Sequence, residues 1–285
     1  MRDVTLVGGT GFVGMALAEH LVQQGRQVSI VSRRPDAKVP AGVKLVSDGT
    51  VPIHQAVVNL AGATIATRWT DAAWTEIEES RVSLTRGLVE RFAAQPPEVF
   101  VCASAVGFYG DCGDDPVTEA RGAGADRAAR LCETWEAAAE GAEALGVRTV
   151  RARLGIVLGR GGALQAMLPA FRMGAGGPLG SGQQWFSWVH LDDAVRALTL
   201  CIDQLQGPVN VVGPNPVRQK DFARTLGATL KRPAFLPAPR FAIKLGLGEA
   251  AEMLLASQQA VPQALLDAGF TFRWPELQRA LADVV

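Results

Sequence analysis

The sequence predicts an α/β chain built on a doubly wound parallel sheet, with a smaller, mainly C-terminal lobe beside it. Three observations predict this. Short apolar runs alternate with helical periodicity over the first 155 residues, the order that places helices on both faces of one sheet. Those runs are nearly continuous in Val, Ile, Leu and Ala, as strands covered on both sides must be. Past Gly155 the texture changes: nine glycines fall between residues 155 and 182, and helical pieces then run to the end.

Taken in order, strands are expected at 4–7, 28–31, 43–46, 56–60, 99–103 and 149–154, with helices over 12–24, 72–94 and 125–145. His190-Leu191-Asp192-Asp193 opens a further helix through residue 205. Asp192 is its expected cap, because a carboxylate there can accept from the first free amides. A strand at 208–212 follows, then a helix at 219–230, an extended proline-bounded piece at 233–239 and a helix at 241–255. There is no internal repeat and no low-complexity tract.

Composition narrows the function classes. With 48% hydrophobic residues in 285, the chain can bury a sizeable core. Its 28 basic and 28 acidic residues cancel, which argues against nucleic acid or an anionic membrane as partner. No apolar run approaches the roughly twenty residues needed to span a bilayer. The first strand begins within three residues of Met1 and Asp3 interrupts any basic-then-apolar pattern, so no secretory leader is expected. Cys102, Cys112, Cys132 and Cys201 lack paired metal spacing, and His20, His54 and His190 are too few for a metal cluster. No metal is expected, and reduced thiols in a cytoplasmic chain are. A homodimer is left open.

The run Val7-Gly8-Gly9-Thr10-Gly11-Phe12-Val13-Gly14 carries the sharpest chemistry. Gly8, Gly11 and Gly14 satisfy one dinucleotide-binding frame and Gly9, Gly11 and Gly14 the other. An early glycine makes the tight turn, a middle one lets backbone approach a pyrophosphate, and the last packs helix on strand. The helix then offers its unpaired N–H groups and positive dipole end to the phosphates. The second strand ends in Ser32-Arg33-Arg34-Pro35, with no carboxylate where an NAD-preferring site holds the ribose 2′-hydroxyl. Arg33 and Arg34 can instead clamp a 2′-phosphate, since guanidinium forks match phosphate oxygens. NADP(H) is the expected cofactor.

Ligands in open α/β sheets lie beyond the carboxyl ends of the strands. Those ends are the glycine loop, Ser32-Arg33, Asn59-Leu60-Ala61-Gly62, Ser104-Ala105 and Arg153-Leu154-Gly155. Asn59 to Gly62 suits close passage of backbone along the adenosine, or else is a strand-stopping turn. Arg153 reads equally as a ligand contact and as a structural ion pair, because a buried arginine needs a partner.

The glycine loop, Asn59 to Gly62, and Ser104 leading to Tyr109-Gly110-Asp111 resemble the extended short-chain dehydrogenase/reductase superfamily, in its NAD-dependent epimerase/dehydratase group. Further stretches narrow the resemblance: Arg68-Trp69-Thr70, Ser80-Arg81, Trp135-Glu136-Ala137, the run from Arg153 to Gly159 and Gly161-Gly162-Ala163-Leu164. So do Gly177 to Gln184, Trp188 to Asp193, and Phe270-Thr271-Phe272-Arg273-Trp274. Together they are similar to the atypical epimerase-family proteins with a characteristic C-terminal helical segment, the SDR39U1-like or YfcH-like type. The resemblance spans essentially the whole chain. It implies a Rossmann domain (residues 1–155 and 188–214) that binds NADP(H). It also implies a small-molecule substrate held against a second lobe (residues 156–187 and 215–285). Carried over to this sequence, the cofactor contacts fall on Gly8, Thr10, Gly11, Phe12, Val13, Ser32, Arg33, Asn59, Leu60, Arg81 and Arg153.

The catalytic set departs from the superfamily. Its usual chemistry needs a tyrosine acid/base with a lysine four residues on, since an unassisted phenol of pKa about 10 is a poor base at neutral pH. This chain has one tyrosine, Tyr109, with Cys112 three positions on and no lysine nearby. Counted from Glu136 and Arg153, the tyrosine and lysine slots fall near Ala128 and Cys132. Ser104 and Tyr109 are therefore the remaining catalytic candidates, although the serine slot counted from Tyr109-Gly110 falls at Ala105. Tyr109 reads equally as a buried ring bonding a backbone group. Arg130 reads as a cation one turn from the lysine slot or as a solvated charge, the loop acids Asp114, Asp115 and Glu119 as aids to proton transfer or as wet surface, and His190 as the sharpest remaining titratable candidate or as a structural histidine. Gly177 to Trp188 reads as a pocket wall or as a packed loop. Two classes follow: an oxidoreductase on a small carbonyl or alcohol, and a non-catalytic, cofactor-dependent regulator of the kind labelled cell-division inhibitor.

Overall fold

Apolar runs pair edge to edge here because each is too hydrophobic to leave either face in water. The structure, a computed structural model, describes residues 2–47 and 49–285. Its first half comprises β1 (Val4–Val7), α1 (Phe12–Gln23), β2 (Val28–Val31), β3 (Val43–Val46), β4 (Ala56–Asn59), α2 (Asp71–Glu78), α3 (Leu84–Phe92) and β5 (Val99–Ala105). The middle adds β6 (Pro116–Val117), α4 (Arg127–Glu140), β7 (Arg148–Leu154), β8 (Ile156–Leu158), α5 (Gly162–Arg172), β9 (Trp185–Phe186) and β10 (Trp188–His190). The last third contains α6 (Leu191–Asp203), β11 (Gly207–Val211), β12 (Val217–Arg218), α7 (Gln219–Leu230), α8 (Arg240–Leu247), α9 (Ala250–Leu255), β13 (Gln259–Ala260), α10 (Gln263–Asp267) and α11 (Leu277–Val284).

Seven strands form one sheet in the order β3-β2-β1-β4-β5-β7-β11, every pairing parallel. This is the doubly wound arrangement expected from the sequence. The order reverses at β1 and β4, so the chain leaves these neighbours toward opposite sides and opens a crevice beyond their ends. On one face Leu17 and Leu21 of α1 and Leu198 and Ile202 of α6 pack on Leu6, Ile30, Val58 and Val101. On the other, Leu88 and Phe92 of α3 and Leu131 and Trp135 of α4 cover Val57 and Phe100. A third cluster joins α5, α7 and α11 around Trp188 and Phe222 and forms the core of the C-terminal lobe.

Three local departures from the expected elements have physical causes. Residues 72–94 are not one helix: a π-turn at Glu79–Ser83 separates α2 from α3. That wider turn aims Ser80 and Arg81 at the chain following β4, where Ser80 Oγ accepts from the Ala63 amide at 2.9 Å. The helix expected at 241–255 is broken at Gly248, whose φ of 61° no helix continues through. The cap of α6 is His190 and not Asp192: His190 Nδ1 accepts from the Asp192 amide at 3.2 Å. Asp192 lies inside the first turn, where its carboxylate meets Arg273 at 3.3 Å.

Asp193, fully buried one residue on, ties the lobe to the sheet. Its Oδ1 accepts from the Arg273 amide and from Arg196, and its Oδ2 from the Trp274 amide, all at 2.9 Å. Removing it strands two amides and leaves Arg196 without its carboxylate. Asp193→Ala is expected to cost about 3 kcal/mol and lower the melting temperature by roughly 6–12 °C. Asp192→Ala, which removes only an exposed pair, is expected to cost less than about 1 kcal/mol. Thermal denaturation of the two variants checks the contrast.

Candidate functional site

The crevice is assembled by glycine. Gly8 turns the chain out of β1 at φ 76°, and a Cβ there would stand 2.5 Å from the Ala61 nitrogen. The loops following β1 and β4 therefore touch backbone to backbone. At Gly14 a Cβ would lie 2.7 Å from Gly9 Cα, which seats the first turn of α1 on the loop. Gly11 differs: it is exposed, and a Cβ would meet only the Gly8 carbonyl, at 3.3 Å. Gly11 is the N-cap of α1 and brings no side chain to its amides. The helix leaves the N–H groups of Phe12 and Val13 without acceptors at its positive end. This cradle fits a diphosphate.

Phe12 presents only its amide to the cradle, because its ring packs against the glycine segment 159–162. A Cβ added at Gly159 or Gly161 would stand 2.6 Å from that ring, so this glycine segment exists to admit it. Thr10 is half-buried between the two glycines. Val13 and Leu60 pack against the sheet core, and the Leu60 amide donates to the Val7 carbonyl at 2.8 Å.

At the end of β2, Ser32 Oγ accepts from the Arg34 amide at 3.1 Å. Arg33 and Arg34 are both exposed, and among the described residues neither guanidinium has a hydrogen-bond or ion-pair partner. Two cations thus stand at the strand end beside the crevice, with no carboxylate paired to either among the described residues. Asn59 is fully buried, and its amide is used internally: Nδ2 donates to Thr85 Oγ1 at 3.0 Å and Oδ1 accepts from the Ala61 amide at 3.1 Å. Its side chain shapes the β4 turn and leaves no group for a ligand. Arg81 donates to the carbonyls of Ala63 (3.0 Å) and Ile77 (3.3 Å) and lies over Trp135. No carboxylate pairs with it among the described residues, and burial lowers its pKa.

Beyond β5 and β7 the structure brings together Ser104, Tyr109 and Arg153, with Glu136 at their centre. Ser104 Oγ donates to Glu136 Oε1 at 2.6 Å. Arg153 grips the same carboxylate with two bonds of 2.9 and 2.8 Å. Its Nη1 also donates to Tyr109 Oη at 2.9 Å, and Tyr109 donates in turn to Asn210 Oδ1 at 2.7 Å. Glu119, exposed-looking in sequence, accepts from the amides of Asn210 and Ala264. Ser104, Tyr109, Glu136 and Arg153 are at most 5% exposed. Burial pushes the Tyr109 phenol above its ordinary value despite the cation beside it. Burial also opposes the charge on Arg153, but its bonds to Glu136 outweigh that and raise its pKa. This arrangement holds charge and strands in place, and the Ser104 and Tyr109 hydroxyl protons are committed within it.

By sequence, Ser104 and Tyr109 are the candidate proton-handling groups and Arg153 is either a ligand contact or an ion pair. In the structure, all three belong to one closed network. Glu136 and Asn210 are the members that sequence reasoning missed. Each carries a signal, since Glu136 interrupts the apolar face of α4 and Asn210 stands inside the apolar strand β11. Ala128 and Cys132 are both buried on α4, and burial pushes the Cys132 thiol up to about 12. Cys132 lies near Ser104 and the Ala105 backbone, the place counted from sequence for a lysine. Arg130 is exposed, and Asp114 pairs with Arg218 at 2.6 Å. His190 stacks on Trp274 and faces Asp283 at 3.3 Å. The 177–188 stretch is mostly packed loop, with Phe186 stacked on Phe222 and Trp188 bonded to the Asn215 carbonyl. No cluster able to hold a metal occurs among the described residues.

A doubly wound parallel sheet whose reversal point carries a bare helix N-terminus, beside unpaired arginines, defines a dinucleotide-binding Rossmann protein. A model of the NAD dependent epimerase/dehydratase family matches residues 4–213, and one described as a domain of unknown function (DUF1731) matches residues 238–284. The epimerase family protein YfhF of Bacillus subtilis is 34% identical, covering 99% of this chain and 98% of its own. The Homo sapiens epimerase family protein SDR39U1 is 38% identical over 99% of each chain. A crystal structure of human SDR39U1 (isoform 2) with NADPH superposes with a TM-score of 0.89 at 34% identity, covering 99% of this chain and 98% of that one. The chain belongs to the NAD dependent epimerase/dehydratase family.

Two outcomes test the site as built. Arg153→Ala leaves the Glu136 carboxylate buried and unpaired, and is expected to cost about 3–5 kcal/mol in urea denaturation. The thiols of Cys102, Cys132 and Cys201, pushed by burial to about 12 from an ordinary 9.0, are expected to resist alkylation until the protein unfolds. Because the folded chain holds these protons more tightly, their stabilisation is complete below pH 9 and is lost as pH rises toward 12. Stability measured across that interval is expected to fall.

Proposed function

We propose that this chain is an NADP(H)-binding oxidoreductase acting on a small carbonyl or alcohol, without the tyrosine–lysine pair of its superfamily. The observation that carries the cofactor choice is the pair of guanidinium groups, Arg33 and Arg34, without a partner among the described residues, where an NAD site would place an acid. The backbone of Gly8 and Gly11 with the amides of Phe12 and Val13 would hold the diphosphate. Ser32 and Arg33 would hold the 2′-phosphate, and Arg81, bonded to the Ala63 carbonyl after β4, adds a third cation with no carboxylate partner among the described residues. When bound, the cofactor supplies a carbon that gives or takes hydride.

The residues near the end of β5 limit what else happens. Ser104 and Tyr109 spend their hydroxyl protons on Glu136 and Asn210, so proton exchange with substrate falls to water or to a group on the substrate itself. Sugar-nucleotide epimerisation, which needs a strong and positioned base, is disfavoured. The same sealed hydroxyls support a second reading, in which occupancy by NADP(H) sets the shape of a partner-binding surface and nothing is turned over. A cytoplasmic setting suits the four buried free thiols, and no helix among the described residues is long and apolar enough to cross a membrane.

Calorimetry is expected to show NADPH binding more tightly than NADH, with Arg33→Ala weakening NADPH about tenfold or more and leaving NADH unchanged. Equal affinities would remove the cofactor assignment. Loss of NADPH absorbance against a panel of aldehydes and ketones distinguishes the two readings. In the oxidoreductase reading, Ser104→Ala and Tyr109→Phe keep turnover within about threefold while lowering the melting temperature. Abolished turnover in correctly folded variants would restore those hydroxyls to the chemistry, and no turnover with any carbonyl would leave the regulator reading.

A further inference from the structure

On the C-terminal lobe, away from the glycine loop, a cavity of about 540 Å³ is lined by Pro178, Ser181, Lys220, Arg224, Arg232 and Phe235 among others. That volume lies in the range of small-molecule sites, roughly 300–1,000 Å³. Its lining carries three cations and no carboxylate, in a chain whose net charge is zero. Lys220 and Arg232 have no ion-pair partner among the described residues, and Arg224 has only Asp221, at 3.3 Å in an exposed pair. Ser181 Oγ accepts from the Gln183 amide at 3.3 Å, which leaves its O–H free to donate. Every polar side chain facing the cavity is therefore a donor. One wall is the ring of Phe235, 73% exposed and without an aromatic partner among the described residues.

The backbone builds this cavity deliberately. A Cβ at Gly227 would collide with Ala234, so glycine is what lets residues 232–234 fold back along α7. The turn that does so passes through Lys231 at φ 55°, the one non-glycine residue with positive φ among those described. The opposite wall approaches just as closely, since a Cβ at Gly182 would lie 2.8 Å from Lys220 Cβ. Lys231 is the left-handed cap of α7, its amide on the Ala228 carbonyl and the Arg232 amide on the Gly227 carbonyl, and this closure turns Arg232 back beside the helix.

We propose that this cavity binds a phosphomonoester with a flat apolar substituent, its phosphoryl group taken by Lys220, Arg224 and Arg232 and its ring laid on Phe235. Guanidinium forks and an ammonium suit a doubly charged oxyanion, and an exposed phenyl ring adds affinity for a flat face beyond area alone. The site is independent of the cofactor crevice and shares no residue with it.

The test uses the full chain at low ionic strength, with phenyl phosphate and inorganic phosphate as probes in calorimetry. It is run on wild type with saturating NADP⁺ and on an Arg33→Ala, Arg34→Ala variant, so that neither arm depends on the crevice. Phenyl phosphate is expected to bind several-fold more tightly than phosphate in both. Lys220→Ala and Arg232→Ala are each expected to weaken both probes about tenfold with unchanged melting temperature. Phe235→Ala is expected to erase the preference for the aryl probe and keep phosphate binding. Binding that survives Lys220→Ala with Arg232→Ala, binding that vanishes when the crevice is filled or disarmed, or no binding of either probe would each overturn the proposal.

Discussion

The contact on which the rest depends is the backbone approach of Gly8 to Ala61. It joins the loops leaving β1 and β4, the two strands at which the sheet reverses, and so holds the crevice open at a fixed width. Everything proposed for the cofactor inherits that geometry. The first turn of α1 reaches the crevice because Gly14 packs on Gly9, and its amides stay available because Gly11 contributes no cap. Charge then completes what the backbone begins: among the described residues no carboxylate pairs with Arg33 or Arg34 at the neighbouring strand end, or with Arg81 at the next.

On the far side of β4 the physical logic inverts. The polar groups there are numerous, but they satisfy one another. Glu136 accepts three hydrogen bonds from Ser104 and Arg153, and Tyr109 closes the circuit to Asn210. A buried network with every member paired rigidifies its surroundings. It also ties α4 to β5, β7 and β11 at the edge of the crevice. One turn earlier on α4, at the position counted for a lysine, Cys132 is apolar in behaviour. The buried charge of α4, Glu136, thus sits one helical turn beyond Cys132 and is held by Arg153.

Much of the fold is legible in the sequence because strands buried on both faces announce themselves as continuous apolar runs. β3 and α7 fall at the residues expected. The departures are local. The π-turn at Glu79–Ser83 has no periodicity signal, because one extra residue in a turn barely shifts an amphipathic pattern. Gly248 breaks a helix that Gly246 and Gly248 together foretell only in hindsight. His190 displaces Asp192 as cap because the carboxylate is drawn to Arg273, 81 positions along the chain. The same limit governs the site. Glycine spacing and the missing acid after β2 are local facts and can be read directly. Whether Arg153 meets a ligand or Glu136, and whether Tyr109 faces a cleft or Asn210, depends on packing between elements far apart in sequence.

The most direct measurement compares two fragments, adenosine 2′,5′-bisphosphate and adenosine 5′-monophosphate, by calorimetry on the wild-type chain. The bisphosphate is expected to bind about tenfold or more tightly, with the difference shrinking as salt is added. Indistinguishable affinities would show that Arg33 and Arg34 meet solvent alone, and would contradict the NADP(H) assignment.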